Sequence, residues 1–265
     1  MTAVHSIRPA TITVGNPADG SVVGHVPIDG AEEVAAKAAR LRAAQPEWEA
    51  LGPNGRRRWL QKFQDWMLDN SERLVDVVQS ETGKSRADAS AEPTLVAVLL
   101  GFWSSHAERY LADDHPRSWN PIAATKHLTT VYRPYPVVGM ITPWNYPFLT
   151  AVNAVVPALL AGNAVLLKHS AQTPLVAERF AEALAEAGLP DGVFQYLHLA
   201  HADALRIVAS GRIAHVSFTG SVEGGREVAR AAGTTFASTT LELGGKDPAY
   251  VRPDADLAHA IENIG

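Results

Sequence analysis

The run Val137-Val138-Gly139-Met140-Ile141 is short and apolar, and Thr142-Pro143-Trp144-Asn145-Tyr146-Pro147 ends it with two prolines. A second apolar run, Ala164-Val165-Leu166-Leu167, closes on Lys168. Between them, Phe148 to Leu167 is the most apolar window of the chain, about long enough to span a bilayer. Asn153, Pro157 and Gly162-Asn163 interrupt it, so a helix, a tight turn and a buried strand describe it better than a lipid-embedded helix. The same alternation continues. Val193 to Leu197, His215 to Phe218 and Thr239 to Leu243 are short runs, and Pro174 to Ala187 and Val222 to Ala232 have helical spacing. Nearly all-apolar strands alternating with helices imply parallel pairing under helices on both faces. The fold expected is α/β, with a Rossmann-like doubly wound parallel sheet over residues 137–265.

Upstream the pattern is helical, so residues 1–112 are read as an N-terminal helical part. Thr11 to Pro27 alternates loosely around Gly15, Asp19-Gly20 and Gly24, as a short hairpin would. Ala31 to Ala44 reads as a helix with Asp29 as its N-cap, and Pro53 lies near the start of a second with Trp59, Phe63, Trp66 and Met67 on one face. Ser71 is read as the cap of a third that ends at Gly83, and a fourth runs from beyond Pro93 to about Leu111. Lys126 to Tyr132 alternates around Thr129, Thr130 and Val131 and reads as an exposed strand. Asp254 and Asp256 suit the start of a last helix better than a cation site.

The 265 residues, 46% of them hydrophobic, suffice for a sizeable core, and a net charge of −5 leaves no broad basic surface for nucleic acid or an anionic membrane. Arg56-Arg57-Arg58 is the only basic run and is read as a solvated helix face. Cysteine is absent, which removes disulfides, zinc-thiolate sites and any thiol nucleophile among these residues. His198 and His201 lack a third ligand in view, so no metal site is expected. Met1 to Gly15 shows no basic segment leading into an apolar one, so no secretion signal is expected and a cytoplasmic location is the default.

Four stretches carry candidate chemistry. Phe218-Thr219-Gly220-Ser221 closes a strand and opens a helix with Gly224 and Gly225 in its first turn, where free amides and the helix dipole favour a phosphate. No G-x-G-x-x-G occurs, so a plain strand-to-helix turn stays open. Lys168 puts a cation at a strand's carboxyl edge, where a nucleotide would lie, or is a surface lysine. Asn145, framed by prolines, could aim an amide into a cleft, or the turn could simply pack its aromatics. Leu241-Glu242-Leu243-Gly244-Gly245-Lys246 holds one carboxylate at a strand end before two glycines that allow close backbone approach; the alternative is a solvated rim charge.

Together with Gly162-Asn163 before Lys168, Gln172-Thr173-Pro174 and Glu81-Thr82-Gly83-Lys84, these stretches resemble the aldehyde dehydrogenase superfamily in order and spacing, over close to the whole chain. The resemblance implies that Asn145 helps form an oxyanion hole and that Glu242 is the general base that activates water. Lys168 then contacts the adenosine ribose, Ser221 with Gly220 the pyrophosphate, and Ile141, Thr142, Pro143 and Trp144 line the cofactor cleft, with Leu243 and Gly244 toward the nicotinamide. The cofactor implied is NAD or NADP, the substrate an aldehyde, with a lean toward small semialdehydes, and the full-length form a homo-oligomer in which residues 126–133 are an oligomerisation-type strand. The family's nucleophilic cysteine and its catalytic domain are expected beyond Gly265, so the chain is expected to be a truncated, cofactor-binding half. The alternatives are a catalytically inactive dinucleotide-binding module and a structural role. Ala171 stands where many NAD-preferring members carry a ribose-binding glutamate, and its lack of charge admits a 2′-phosphate. His169 replaces a common proline and is read as neutral.

Overall fold

The computed structural model describes residues 10–123 and 125–264; the reading of Met1 to Gly15 falls mostly on residues outside these. A hairpin of β1 (Thr11–Gly15) and β2 (Val22–Pro27) leads into four helices, α1 (Ala31–Ala50), α2 (Gly52–Asp69), α3 (Ser71–Thr82) and α4 (Arg86–Leu111). The sheet region then alternates: β3 (Val137–Ile141), α5 (Pro147–Leu160), β4 (Ala164–Lys168), α6 (Pro174–Glu186), β5 (Phe194–Leu197), α7 (His201–Val208), β6 (His215–Thr219), α8 (Val222–Gly233) and β7 (Ser238–Glu242). A last helix, α9 (Leu257–Ile264), follows, its first turn capped by the Asp256 carboxylate.

All five strands of the sheet are parallel, in the order β5-β4-β3-β6-β7. Side chains of β3 and β4 alternate between two cores, as period-2 geometry requires. Val138, Met140, Val165 and Leu167 pack with α2 to α6, whereas Val137, Ala164 and Leu166 pack with Val34 and Leu41 of α1 and with α7 and α8. The doubly wound reading therefore applies to the sheet's centre. It does not extend to β7, which was expected to be buried: only β6 pairs with it and its side chains are largely exposed.

Several local expectations change. Gly30, not Asp29, is the N-cap of α1; Asp29 instead accepts the His198 amide at 2.7 Å and the Lys37 ammonium at 2.6 Å, joining α1 to the end of β5. Asn70 precedes α3, and Ser71 is already helical. Gly83 ends α3 in the left-handed region at φ 69°, as expected. Pro93 does not start α4 but lies inside it, because the Ser85 hydroxyl caps the helix two turns earlier. Residues 126–133 form no strand. They run exposed with one isolated antiparallel bridge, Thr130 to Asp114, and no ladder among the described residues.

The larger change concerns buried charge. Arg56, assigned to a solvated face, is buried and donates to the carbonyls of Leu160 at 2.8 Å, Trp48 at 3.2 Å and Glu49 at 2.9 Å, at the C-termini of α5 and α1. There it meets helix-terminal carbonyls and the negative end of each dipole. Glu92 of α4 is fully buried and accepts the amides of Phe148 and Leu149 at 2.9 Å each, with Lys84 at 3.0 Å as counter-ion. Glu81 of α3 does the same for α6, taking the amides of Leu175 and Val176 at 2.8 Å. The helical layer thus holds the sheet's helices by their ends.

Burial pushes the Glu81 carboxyl up to about 8, against the two amides that favour its ionised form. With a folded value above the unfolded 4.5, the folded chain retains a proton that the unfolded chain releases. Stability from this group is full below that window and falls as pH rises through it. Urea unfolding between pH 6.5 and 8 should show the parent chain losing roughly 1 kcal/mol per pH unit relative to Glu81→Gln. Parallel pH profiles for the two proteins would refute the assignment.

Candidate functional site

The chain runs outward from β3 through β4 to β5, then returns to the other side of β3 with β6 and β7, so the topology switches between β3 and β6. In such sheets the crevice at the carboxyl ends beside the switch is where ligands bind. Two connections bracket it here, residues 142–146 after β3 and Gly220-Ser221 after β6. Ile141 pairs in register with Lys168 on one side and Phe218 on the other, and Thr219 pairs with Glu242. Every candidate side chain therefore belongs to one edge of the sheet.

On the α8 side, the Ser221 hydroxyl accepts the Gly224 amide at 3.1 Å and so caps the helix, leaving its own hydrogen free to donate. A Cβ on Gly220 or on Gly224 would approach the Phe218 ring to 2.8 Å, so glycine at these positions lets that ring pack against the start of α8. On the β4 side, Lys168 is largely buried, which lowers its pKa, and no carboxylate among the described residues pairs with it. The Thr142 hydroxyl is buried with no hydrogen-bond partner, although its backbone amide donates to the Lys168 carbonyl at 3.3 Å. A partly desolvated cation and a buried hydroxyl without a partner thus sit on neighbouring strand ends, β4 and β3.

Pro143, Trp144 and Asn145 occupy the turn before α5. Trp144 is 52% exposed, and the Asn145 amide makes no hydrogen bond among the described residues, so it is free to meet a ligand. Glu242 ends β7 exposed rather than inside a core, and its carbonyl accepts the Gly220 amide at 3.0 Å, linking the β7 end to the turn after β6. Leu243, Gly244 and Gly245 continue into exposed chain, where a Cβ on either glycine would meet nothing; within these residues no close approach requires glycine.

The residues behind the turn escaped sequence reading. Lys84 lies 3.7 Å from the Tyr146 ring centroid, and Glu92 caps the helix that the turn enters. His169 is buried and bonded on both ring nitrogens, and burial first of all lowers its pKa to about 4. No local pattern announces these roles, because the partners are backbone groups far away in sequence. His198 and His201 bond Glu178 and Glu227, and no cluster that could hold a metal occurs among the described residues. No described helix is long and apolar enough to cross a membrane.

The model of the aldehyde dehydrogenase family matches residues 4–265. The chain belongs to that family. Betaine aldehyde dehydrogenase 1 of Rhizobium meliloti is 37% identical over 263 residues, covering 98% of this chain and 51% of that protein. A probable NADP(+) succinate-semialdehyde dehydrogenase of Sinorhizobium fredii is 32% identical over 252 residues, covering 94% of this chain and 50% of that protein. Among solved structures, PnpE in complex with nicotinamide adenine dinucleotide superposes with a TM-score of 0.83 at 29% identity, over 89% of this chain and 48% of that one. The chain thus spans about half the length of the aldehyde dehydrogenases it matches.

Because Ser221 caps α8, Ser221→Ala should lower unfolding free energy by about 1 kcal/mol, and Ser221→Gly by only a few tenths. Chemical denaturation checks this; equal losses for the two variants would remove the capping role.

Proposed function

We propose that this chain is the dinucleotide-binding part of an NAD(P)+-dependent aldehyde dehydrogenase that oxidises an aldehyde to a carboxylic acid. The observation that carries the proposal is the pairing, across one topological switch, of an ion-unpaired, largely buried Lys168 with the Ser221-capped N-terminus of α8. A dinucleotide is long enough to need both, with ribose hydroxyls at a cation and pyrophosphate at a helix N-terminus.

In this reading Lys168 donates to the adenosine ribose, and Ser221, with the first amides of α8, holds the pyrophosphate. Ile141, Thr142, Pro143 and Trp144 line the cleft between, and Leu243 and Gly244 approach the nicotinamide end. The bound nicotinamide would supply the hydride acceptor. Asn145 supplies an amide donor where negative charge develops on the aldehyde oxygen, and Glu242 takes a proton from the water that releases the acid. Its exposed position at the end of β7 leaves that carboxylate reachable by water.

A thiol nucleophile for the aldehyde cannot come from these 265 residues, which contain no cysteine. Turnover therefore requires a thiol from elsewhere in a longer protein, and the second reading, a dinucleotide-binding module without turnover, rests on the same absence. Ala171, exposed beyond Lys168, places no carboxylate against a 2′-phosphate, which favours NADP+; the NADP(+) relative points to a semialdehyde as substrate. We take the full-length protein to be a cytoplasmic homo-oligomer using the exposed residues 126–133, with neither nucleic acid nor membrane as partner.

Titration with NADP+ and NAD+, followed by tryptophan fluorescence through Trp144, tests the nucleotide site. Saturable binding is expected, weakened about tenfold or more by Lys168→Met, as loss of a charged hydrogen-bond donor implies. Absence of binding by the folded parent chain, or a Lys168→Met variant with parental affinity, would overturn the proposal.

A further inference from the structure

The turn that carries Asn145 is joined at both of its ends to two consecutive residues. At its start, the Thr142 amide donates to the Lys168 carbonyl at 3.3 Å. At its end, the His169 Nε2 lies 2.9 Å from the Pro147 carbonyl, and the other ring nitrogen, Nδ1, lies 3.1 Å from the Thr173 hydroxyl. A carbonyl only accepts, so Nε2 carries the hydrogen, and in the neutral ring Nδ1 accepts from Thr173. His169 is 3% exposed, and a buried ring with both nitrogens committed has a single orientation. Thr173 is the N-cap residue of α6, and Pro147 is the first residue of α5, so one imidazole spans the starts of both helices.

We infer that His169 is a positioning residue of the cleft: with its neighbour Lys168 it clamps both ends of the 142–146 turn, and so fixes where Asn145 and Trp144 stand relative to the Lys168 ammonium. The inference builds on the nucleotide-site reading above. A ring that only filled space would bond neither helix. Here Pro147 has no amide of its own, and the Glu92 carboxylate holds the next two amides, so His169 and Glu92 secure the junction of turn and helix through groups of opposite polarity. The proton on Nε2 is essential to the clamp, and burial, with a lesser push from the neighbouring Lys168 charge, keeps the ring in the neutral form that leaves Nδ1 for Thr173.

The test compares the parent chain with His169→Leu, which fills the space without a donor, and His169→Gln, whose side-chain amide can donate to Pro147. Hydrogen exchange is followed at the amides of residues 142–149 and, as an internal reference, in α7 and β5, and NADP+ affinity is measured on the same samples. His169→Leu should speed exchange at 142–149 about tenfold and weaken NADP+ about tenfold, with the reference amides nearly unchanged, and His169→Gln should recover most of both losses. Parental exchange at 142–149 in the Leu variant would overturn the inference. So would an increase spread evenly over the reference amides, or a Gln variant no better than Leu. If the parent binds neither nucleotide, the functional reading fails, while the exchange pattern still decides the clamp. Should the Leu variant not fold, the imidazole 15N spectrum of the parent decides instead: a neutral ring protonated at Nε2 supports the clamp, and the other tautomer sinks it.

Discussion

The buried carboxylate of Glu92 against the first amides of α5 is the contact on which the arrangement of the cleft depends. The first amides of any helix have no partner within the helix, and α5 begins in a buried place where water cannot supply one. Glu92 satisfies two of them and brings negative charge to the positive end of the dipole. An isolated buried carboxylate would be costly, and the Lys84 ammonium, itself set over the Tyr146 ring, offsets that cost. Arg56 grips the opposite end of the same helix through the Leu160 carbonyl. A single helix is thus fixed at both ends by side chains of the preceding helical layer.

That arrangement explains why a mostly helical N-terminal part accompanies the parallel sheet. The crevice is built from short turns between strand ends and helix starts, and such turns are only as well placed as the helices they enter. Glu81 fixes α6, Glu92 fixes α5, and His169 joins the two laterally, so the turn with Trp144 and Asn145 and the strand end with Lys168 have a common base. The other side of the crevice is organised more locally: α8 is capped by its own Ser221, and β7 has a single neighbour. The exposed β7, the chain after Glu242 and the uncovered α9 form the less enclosed part of this structure.

The sheet was legible in the sequence because each of its central strands is a short apolar run with a helix on either side, and two-faced burial leaves that signature whatever the partner. Strand β7 shows the limit: Thr239 and Thr240 announce a strand, but pairing at an edge, with nothing over it, is a property of the whole sheet. Residues 126–133 have strand-like alternation without a ladder, since a ladder needs a second strand. The positions of Ile141, Lys168, Ser221 and Glu242 at one edge followed from strand and helix boundaries that were right to within a residue or two. Arg56, Glu81, Glu92 and His169 were not legible. Each is a polar residue on a helix or in a turn, where a solvated place is the ordinary expectation, and each finds its partner in backbone groups that any sequence offers. Only the packing of α2, α3 and α4 over α5 and α6 turns them into caps.

The most direct measurement is the unfolding free energy of Glu92→Leu beside that of Glu72→Ala. Glu72 pairs with Arg86 at an exposed site, where an ion pair contributes about 1 kcal/mol or less. Removal of the Glu92 carboxylate leaves two buried amides and a partly buried ammonium without their partner, so a loss of about 3–5 kcal/mol is expected. A Glu92→Leu variant no less stable than Glu72→Ala would contradict the view that the cleft is held from behind by capped helix ends.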